Sequence, residues 1–187
     1  MIIDELLAHQ VVTKRQPHSH KGTYGRVLLI GGFYPYGGAI IMSALATVKS
    51  GAGLVTVATE RDNIAALHSH LPEAMAFDCD DKELFYENLT KANVVLIGPG
   101  LGENSKAEAV FQMVLEHISE HQILIIDGSA LNLLVKAKPI TVKTNHLILT
   151  PHQKEWERLS GIAISNQTIE NTKVSPARIS RKDRLSG

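Results

Sequence analysis

The sequence predicts an α/β fold, a mostly parallel sheet with helices on both faces in three α/β/α layers. Three observations carry that expectation. Short β-branched runs alternate with longer stretches of helical periodicity along the chain. The runs are largely apolar, as in strands buried on both faces. Most of them end on glycine or a polar residue, the punctuation of a strand passing into a loop.

Taken in order, Arg26-Val27-Leu28-Leu29-Ile30 is the first expected strand, closed by Gly31-Gly32. Residues 38–50 place Ile40, Ile41, Leu45 and Val48 near 3.6 spacing, and Gly51 is a helix stop. Leu54-Val55-Thr56-Val57-Ala58 is the second strand, followed by helices around residues 64–69 and 81–91. Val94-Val95-Leu96-Ile97 is the third, running into Gly98-Pro99-Gly100-Leu101-Gly102. Ser105 then opens a helix with Glu108 three residues on, a capping-box pattern. Ile123-Leu124-Ile125-Ile126 is the fourth strand and ends at Asp127. Residues 130–135 fit a short helix, and His146-Leu147-Ile148-Leu149 is the fifth strand. Residues 166–172 read as the start of a further helix. One domain is therefore expected over residues 1–172, with an irregular tail over 173–187.

With 187 residues and 44% hydrophobic content, the chain is long enough for one sizeable core. A formal net charge of zero gives no field to recruit nucleic acid or an anionic membrane, so neither partner is expected. Cys79 is the single cysteine, which rules out an internal disulfide and a Cys-rich zinc site and fits a reducing, cytoplasmic setting. No run approaches the ~18 apolar residues of a membrane span, and Met1-Ile2-Ile3-Asp4-Glu5 is not the start of a signal peptide. The nine histidines are scattered, with His18/His20 and His68/His70 two apart, so no histidine metal site is expected.

In an open parallel sheet, ligands bind outside the carboxyl ends of the strands. Gly31-Gly32, Gly98-Pro99-Gly100-Leu101-Gly102, Asp127 and Thr150-Pro151-His152 all fall at such ends. Any one alone is an ordinary turn; together on one edge they point to a ligand. Gly37-Gly38-Ala39 opens the first long helix, where missing side chains and free amides suit an anion or close packing equally. Tyr34 and Tyr36, just before it, either stack on a ring or are ordinary exposed loop tyrosines. Lys21 either reaches a phosphate or anchors its segment at the sheet edge. Asp127 either faces a ligand or water-bound magnesium, or caps the next helix.

Four motifs in this order and spacing carry a family resemblance: His20-Lys21-Gly22-Thr23-Tyr24-Gly25, Ser50-Gly51-Ala52-Gly53-Leu54-Val55-Thr56-Val57-Ala58-Thr59, Gly98-Pro99-Gly100-Leu101-Gly102, and Thr150-Pro151-His152 with Glu155. Over residues 8–165 the chain resembles the ADP/ATP-dependent (S)-NAD(P)H-hydrate dehydratases of the ribokinase-like superfamily. The resemblance implies a ribokinase-like fold and dehydration of (S)-NADHX or NADPHX to NADH or NADPH, with ADP or ATP as co-substrate and Mg²⁺ as cofactor. It implies substrate contacts at Ala39, Gly100, Gly102 and His152, with Gly38 beside them. It places Glu155 near the magnesium–phosphate cluster, the alternative being a helix N-terminal glutamate.

The chain departs from the family in three places. Asp127-Gly128-Ser129 lacks the family's second aspartate, and Gln153-Lys154 replace its Pro-Gly. No Gly-Gly-x-Gly-Asp follows, so the family's catalytic aspartate and its lysine-glycine segment for the adenine nucleotide are absent; the one later aspartate is Asp183. The expectation is a fold whose C-terminal portion is missing, with an unpaired sheet edge and marginal stability, held together through self-association as a homo-oligomer. Such a chain binds the hydrated nucleotide weakly and does not turn it over alone. No epimerase domain of the kind fused to some relatives is expected ahead of the first motif. The alternatives are a vitamin-precursor kinase, against which His152 in place of asparagine argues, a non-catalytic binding module for NAD(P)HX, and a gene remnant.

Overall fold

The computed structural model describes residues 4–12, 14–137, 140–168 and 179–181. Six parallel strands form the main sheet, in the order β3-β2-β1-β4-β5-β7. They are β1 (Arg26–Ile30), β2 (Leu54–Thr59), β3 (Met75–Asp78), β4 (Val94–Ile97), β5 (Ile123–Ile126) and β7 (His146–Leu149). The helices are α1 (Glu5–Val11), α2 (Gly37–Lys49), α3 (Arg61–His70), α4 (Lys82–Lys91), α5 (Ser105–His117), α6 (Ser129–Lys136) and α7 (Gln153–Ser160). A separate two-stranded ladder pairs β6 (Ile140–Val142) with β8 (Ile179–Arg181). Of the tail expected to be irregular, residues 179–181 are the described ones and form this strand; the rest lies outside the described residues.

The period of two along each strand sends alternate side chains to opposite faces. Leu29, Val55 and Val57 join Ile40, Ile41 and Ala44 of α2 and Leu67 of α3 in one core. Leu28, Ile30, Val95, Ile97, Leu124 and Ile126 meet α4 to α7 in the other, around Phe33, Phe85 and Phe111, each 1% exposed. Each such side chain contributes roughly 1.5–3 kcal/mol over an exposed one. The three-layer α/β/α architecture expected from the alternation is the one observed. The first face thins toward β7, whose Ile148 stays 47% exposed.

Two readings are corrected. The cap of α5 is Asn104, not Ser105: its side chain accepts from the Ala107 amide, and Ser105 is the first helical residue. Asparagine is among the best N-caps, and here it sits one residue earlier. The main sheet has a sixth strand, β3, that the five-strand reading passed over. Met75-Ala76-Phe77-Asp78 is four residues long and includes two residue types depleted in strands. At the far end, residues 164–166 form a 3₁₀ turn and 169–172 lie outside the described residues.

Candidate functional site

Strand order reverses between β1 and β4, and a crevice opens at the carboxyl ends of a parallel sheet at such a reversal. The loops that follow these two strands are laced by main-chain bonds. Gly32 N–H donates to the Pro99 carbonyl at 2.9 Å and Phe33 N–H to the Gly100 carbonyl at 2.8 Å. Leu101, fully buried, pins the second loop to the core.

The glycines divide into two kinds. A Cβ on Gly31 would lie 2.1 Å from the Pro99 carbonyl oxygen, on Gly98 1.7 Å from that of Asp127, and on Gly100 2.3 Å from that of Tyr36. These three are glycine because backbones touch. A Cβ on Gly38 or Gly102 meets no described atom within 4 Å. Gly102 has φ +76, which favours glycine by conformation alone. Gly38 is helical and open, so nothing in the fold requires glycine there.

Ala39 stands opposite Gly100, its Cβ 3.1 Å from a Cβ built on that glycine. The N-cap of α2, Tyr36, gives no side-chain hydrogen bond to the first turn. The opening amides of α2 thus lack the side-chain acceptor that commonly satisfies such donors. Tyr34 and Tyr36 stand out in solvent at 87% and 58% exposure.

The floor continues across β5 to β7. Gly98 rests against the Asp127 carbonyl, and the Asp127 Oδ1 accepts from the Thr150 hydroxyl at 2.7 Å. Asp127 therefore ties two strand-end loops, while the N-cap of α6 is Gly128. At the end of β7, His152 caps α7. Its Nδ1 accepts from the Lys154 amide at 3.1 Å and the Glu155 amide at 3.4 Å, and Glu155 Oε2 accepts from the His152 amide at 2.9 Å. The imidazole is exposed and the Glu155 side chain almost wholly buried.

Glu155 thus does the work of a helix N-terminal glutamate. Among the described residues no three His, Cys, Asp or Glu side chains gather to hold a metal ion. Mg²⁺ is commonly held by one or two carboxylates, with waters and substrate phosphates completing its octahedron; Glu155 gives Oε2 to the cap and would have Oε1 to offer such an ion, and no step is assigned to a metal here.

Lys21 lies elsewhere. Its 3₁₀ turn (Lys21–Tyr24) precedes β1 at the amino ends of the strands, where Tyr24 and Gly25 carbonyls accept from the Gly53 and Leu54 amides. That end is opposite the crevice, so the segment anchors the sheet.

Glu60 and Asn63 help build the site yet were left out of the sequence reading, and Thr59 entered it only as the end of a family motif. Thr59 donates to the Gly32 carbonyl at 3.1 Å, Asn63 Nδ2 reaches the Gly37 carbonyl at 3.2 Å, and Glu60 Oε2 accepts from the Tyr34 amide at 2.9 Å. Glu60 directly follows β2, the same strand-end signal that singled out Asp127.

The family model for NAD(P)H-hydrate dehydratase matches residues 27–181. An ADP-dependent (S)-NAD(P)H-hydrate dehydratase from Streptococcus thermophilus is 60% identical over 172 residues, covering 92% of this chain and 62% of its own. The crystal structure of a ribokinase-like superfamily protein from Enterococcus faecalis V583 superposes with TM-score 0.83 at 44% identity, over 87% of this chain and 57% of that one. The ADP/ATP-dependent NAD(P)H-hydrate dehydratase from Bacillus subtilis co-crystallized with ATP/Mg²⁺ superposes with TM-score 0.69 at 26% identity, over 87% and 57%. The chain spans about three fifths of the length of the curated relatives it matches. With its ribokinase-like sheet, its laced glycine loops and this similarity along most of its length, the chain belongs to the NAD(P)H-hydrate dehydratase family.

Proposed function

We propose that this chain carries the hydrated-nicotinamide side of a nucleotide-repair site, in which (S)-NADHX or NADPHX is dehydrated at the expense of ADP or ATP. The observation that carries the reading is the pair of open glycines, Gly38 and Gly102, on a crevice where Gly31, Gly98 and Gly100 are held by backbone contact and Gly32 and Gly37 by the side chains of Ile40, Thr59 and Asn63. At Gly38 an absent side chain that the fold does not need marks where another molecule comes close, and Gly102, glycine by its φ of +76, leaves open space as well. Ala39 and Gly100 make the wall between them, the opening amides of α2 suit a phosphate, and exposed His152 offers Nε2 from the far end of the floor.

These 187 residues contain no Gly-Gly-x-Gly-Asp, so they supply neither the aspartate that would take the hydroxyl proton nor the glycine-rich anion hole beside it. The polypeptide of this sequence is expected to bind substrate without turning it over. A cytoplasmic setting, where a buried free thiol such as Cys79 persists, belongs to the same proposal; among the described residues no helix is long and apolar enough to cross a membrane.

A thermal-shift titration tests the reading. At a hundredfold excess over Kd, a ligand that binds the native state alone adds about 2.7 kcal/mol. NADPHX is expected to raise the melting temperature, and ADP with Mg²⁺ to leave it unchanged. No shift with either hydrated nucleotide overturns the assignment, and ADP-dependent turnover by the purified chain overturns its catalytic part.

A further inference from the structure

A cavity of about 430 Å³ lies on the β2 side of the α2 N-terminus, lined by Tyr34, Gly37, Gly38, Glu60, Asp62 and Asn63 among others. It shares Gly38 with the crevice and so continues the same surface. Its lining holds two carboxylates and no lysine or arginine. Of the nearby cations, Arg61 is committed elsewhere and Lys106 is shared between Asp80 and Glu60. Arg61 Nε bonds Asp78 at 3.0 Å, and Lys106 Nζ bonds Asp80 at 2.9 Å while standing 3.8 Å from Glu60. Glu60 Oε2 is taken by the Tyr34 amide; Oε1 has the distant Lys106 ammonium alone and keeps room to accept. Asp62 is exposed in the first turn of α3.

The carboxylate side of this lining, away from the α2 amides, disfavours a phosphate and accepts from hydroxyls. A carboxylate at the carboxyl end of the second strand of a parallel βαβ unit is where ribose hydroxyls are read in dinucleotide-binding sheets, and Tyr34 offers a ring face at the mouth. Resting on the substrate reading above, we propose that this cavity is a ribose subsite in which Glu60 discriminates hydroxyl from 2′-phosphate. The chain then prefers the hydrated dinucleotide without the 2′-phosphate, NADHX, over NADPHX, because the phosphate would meet a carboxylate whose one cation, Lys106, it shares with Asp80.

The test is the ratio of dissociation constants for NADHX and NADPHX on the full 187-residue chain and on Glu60→Gln. Glutamine keeps an oxygen for the Tyr34 amide, so the loop is held while the charge is removed. The expected ratio favours NADHX by about tenfold or more in the wild type, since like-charge contact is strongly unfavourable, and falls to within about threefold in the variant, chiefly through tighter NADPHX binding. Should Glu60→Gln lose its cooperative melt, Asp62→Asn, exposed and outside the loop's hydrogen bonds, makes the same comparison and is expected to move the ratio in the same direction. Equal binding of both nucleotides by the wild type, or an unchanged ratio in the folded variant, overturns the ribose subsite and leaves the substrate assignment standing. Binding of neither nucleotide overturns both.

Discussion

His152 and Glu155 cap the first turn of α7 for each other: the imidazole Nδ1 accepts helix amides while the carboxylate accepts the amide of the histidine. With Nδ1 accepting, Nε2 is left as the other ring nitrogen, 3.5 Å from Glu155 Oε1. The helix cap thereby fixes the ring's orientation at the end of the crevice floor.

Capping and ligand contact can be separated by substitution at that position. His152→Ala is expected to lower stability by about 1 kcal/mol, the usual cost of losing an N-cap side chain. His152→Asn restores an acceptor to the helix and is expected to recover the melting temperature, yet to remain weak for NADPHX. Full recovery of binding by the asparagine variant would reduce His152 to a cap.

Gly38 gives the cleaner probe of the crevice. Gly38→Ala places a methyl where no described atom lies within 4 Å and improves helix propensity, so stability should rise by up to ~1 kcal/mol. The same methyl should abolish the thermal shift with NADPHX. A variant that melts higher and still binds would mean the ligand passes elsewhere.

Gly98 should behave in the opposite way. Its Cβ would sit 1.7 Å from the Asp127 carbonyl oxygen, at a φ of +128. Gly98→Ala is expected to cost ~3 kcal/mol or more, through backbone strain and overpacking together. Chemical denaturation of the two glycine variants side by side checks the contrast.

Cys79 is 5% exposed, and burial pushes its thiol up to about 12. The thiolate is the reactive form, so alkylation at pH 8 is expected to be slow in the folded chain and to accelerate only where the chain opens. Rapid labelling under native conditions would contradict the placement of β3 and its following turn.

Glu103 predicts an acid limb. Lys136 bonds its carboxylate and, with Asn132, outweighs partial burial to hold it below its ordinary value. A carboxyl lowered on folding contributes fully above its unfolded value of about 4.3 and loses that contribution as pH falls through the lower folded value. The melting-temperature gap between wild type and Glu103→Gln should therefore be present at pH 7 and shrink toward pH 3.

The strands of this sheet were readable because burial on both faces leaves uninterrupted apolar runs such as Val27 to Ile30, and the crevice was readable because glycine gathers at their ends. β3 escaped because Ala76 and Asp78 dilute a four-residue strand below any periodic signal. The two kinds of glycine were not separable in sequence: Gly98 and Gly102 belong to one motif, and only the position of Asp127 tells them apart. Glu60 and Asn63 carried no local pattern either; their partners, the Tyr34 amide and the Gly37 carbonyl, lie 26 residues away along the chain in each case.

The lacing of the crevice floor has an evolutionary consequence. Its outline is drawn by carbonyls, amides and glycines, and the side chains that rise from it, Tyr34, Tyr36 and Ala39, are not needed to hold it. A duplicated copy of such a chain can exchange those three and meet a new molecule without refolding. Drift in ligand preference is cheap on this scaffold, whereas drift at Gly31 or Gly98 is closed to it.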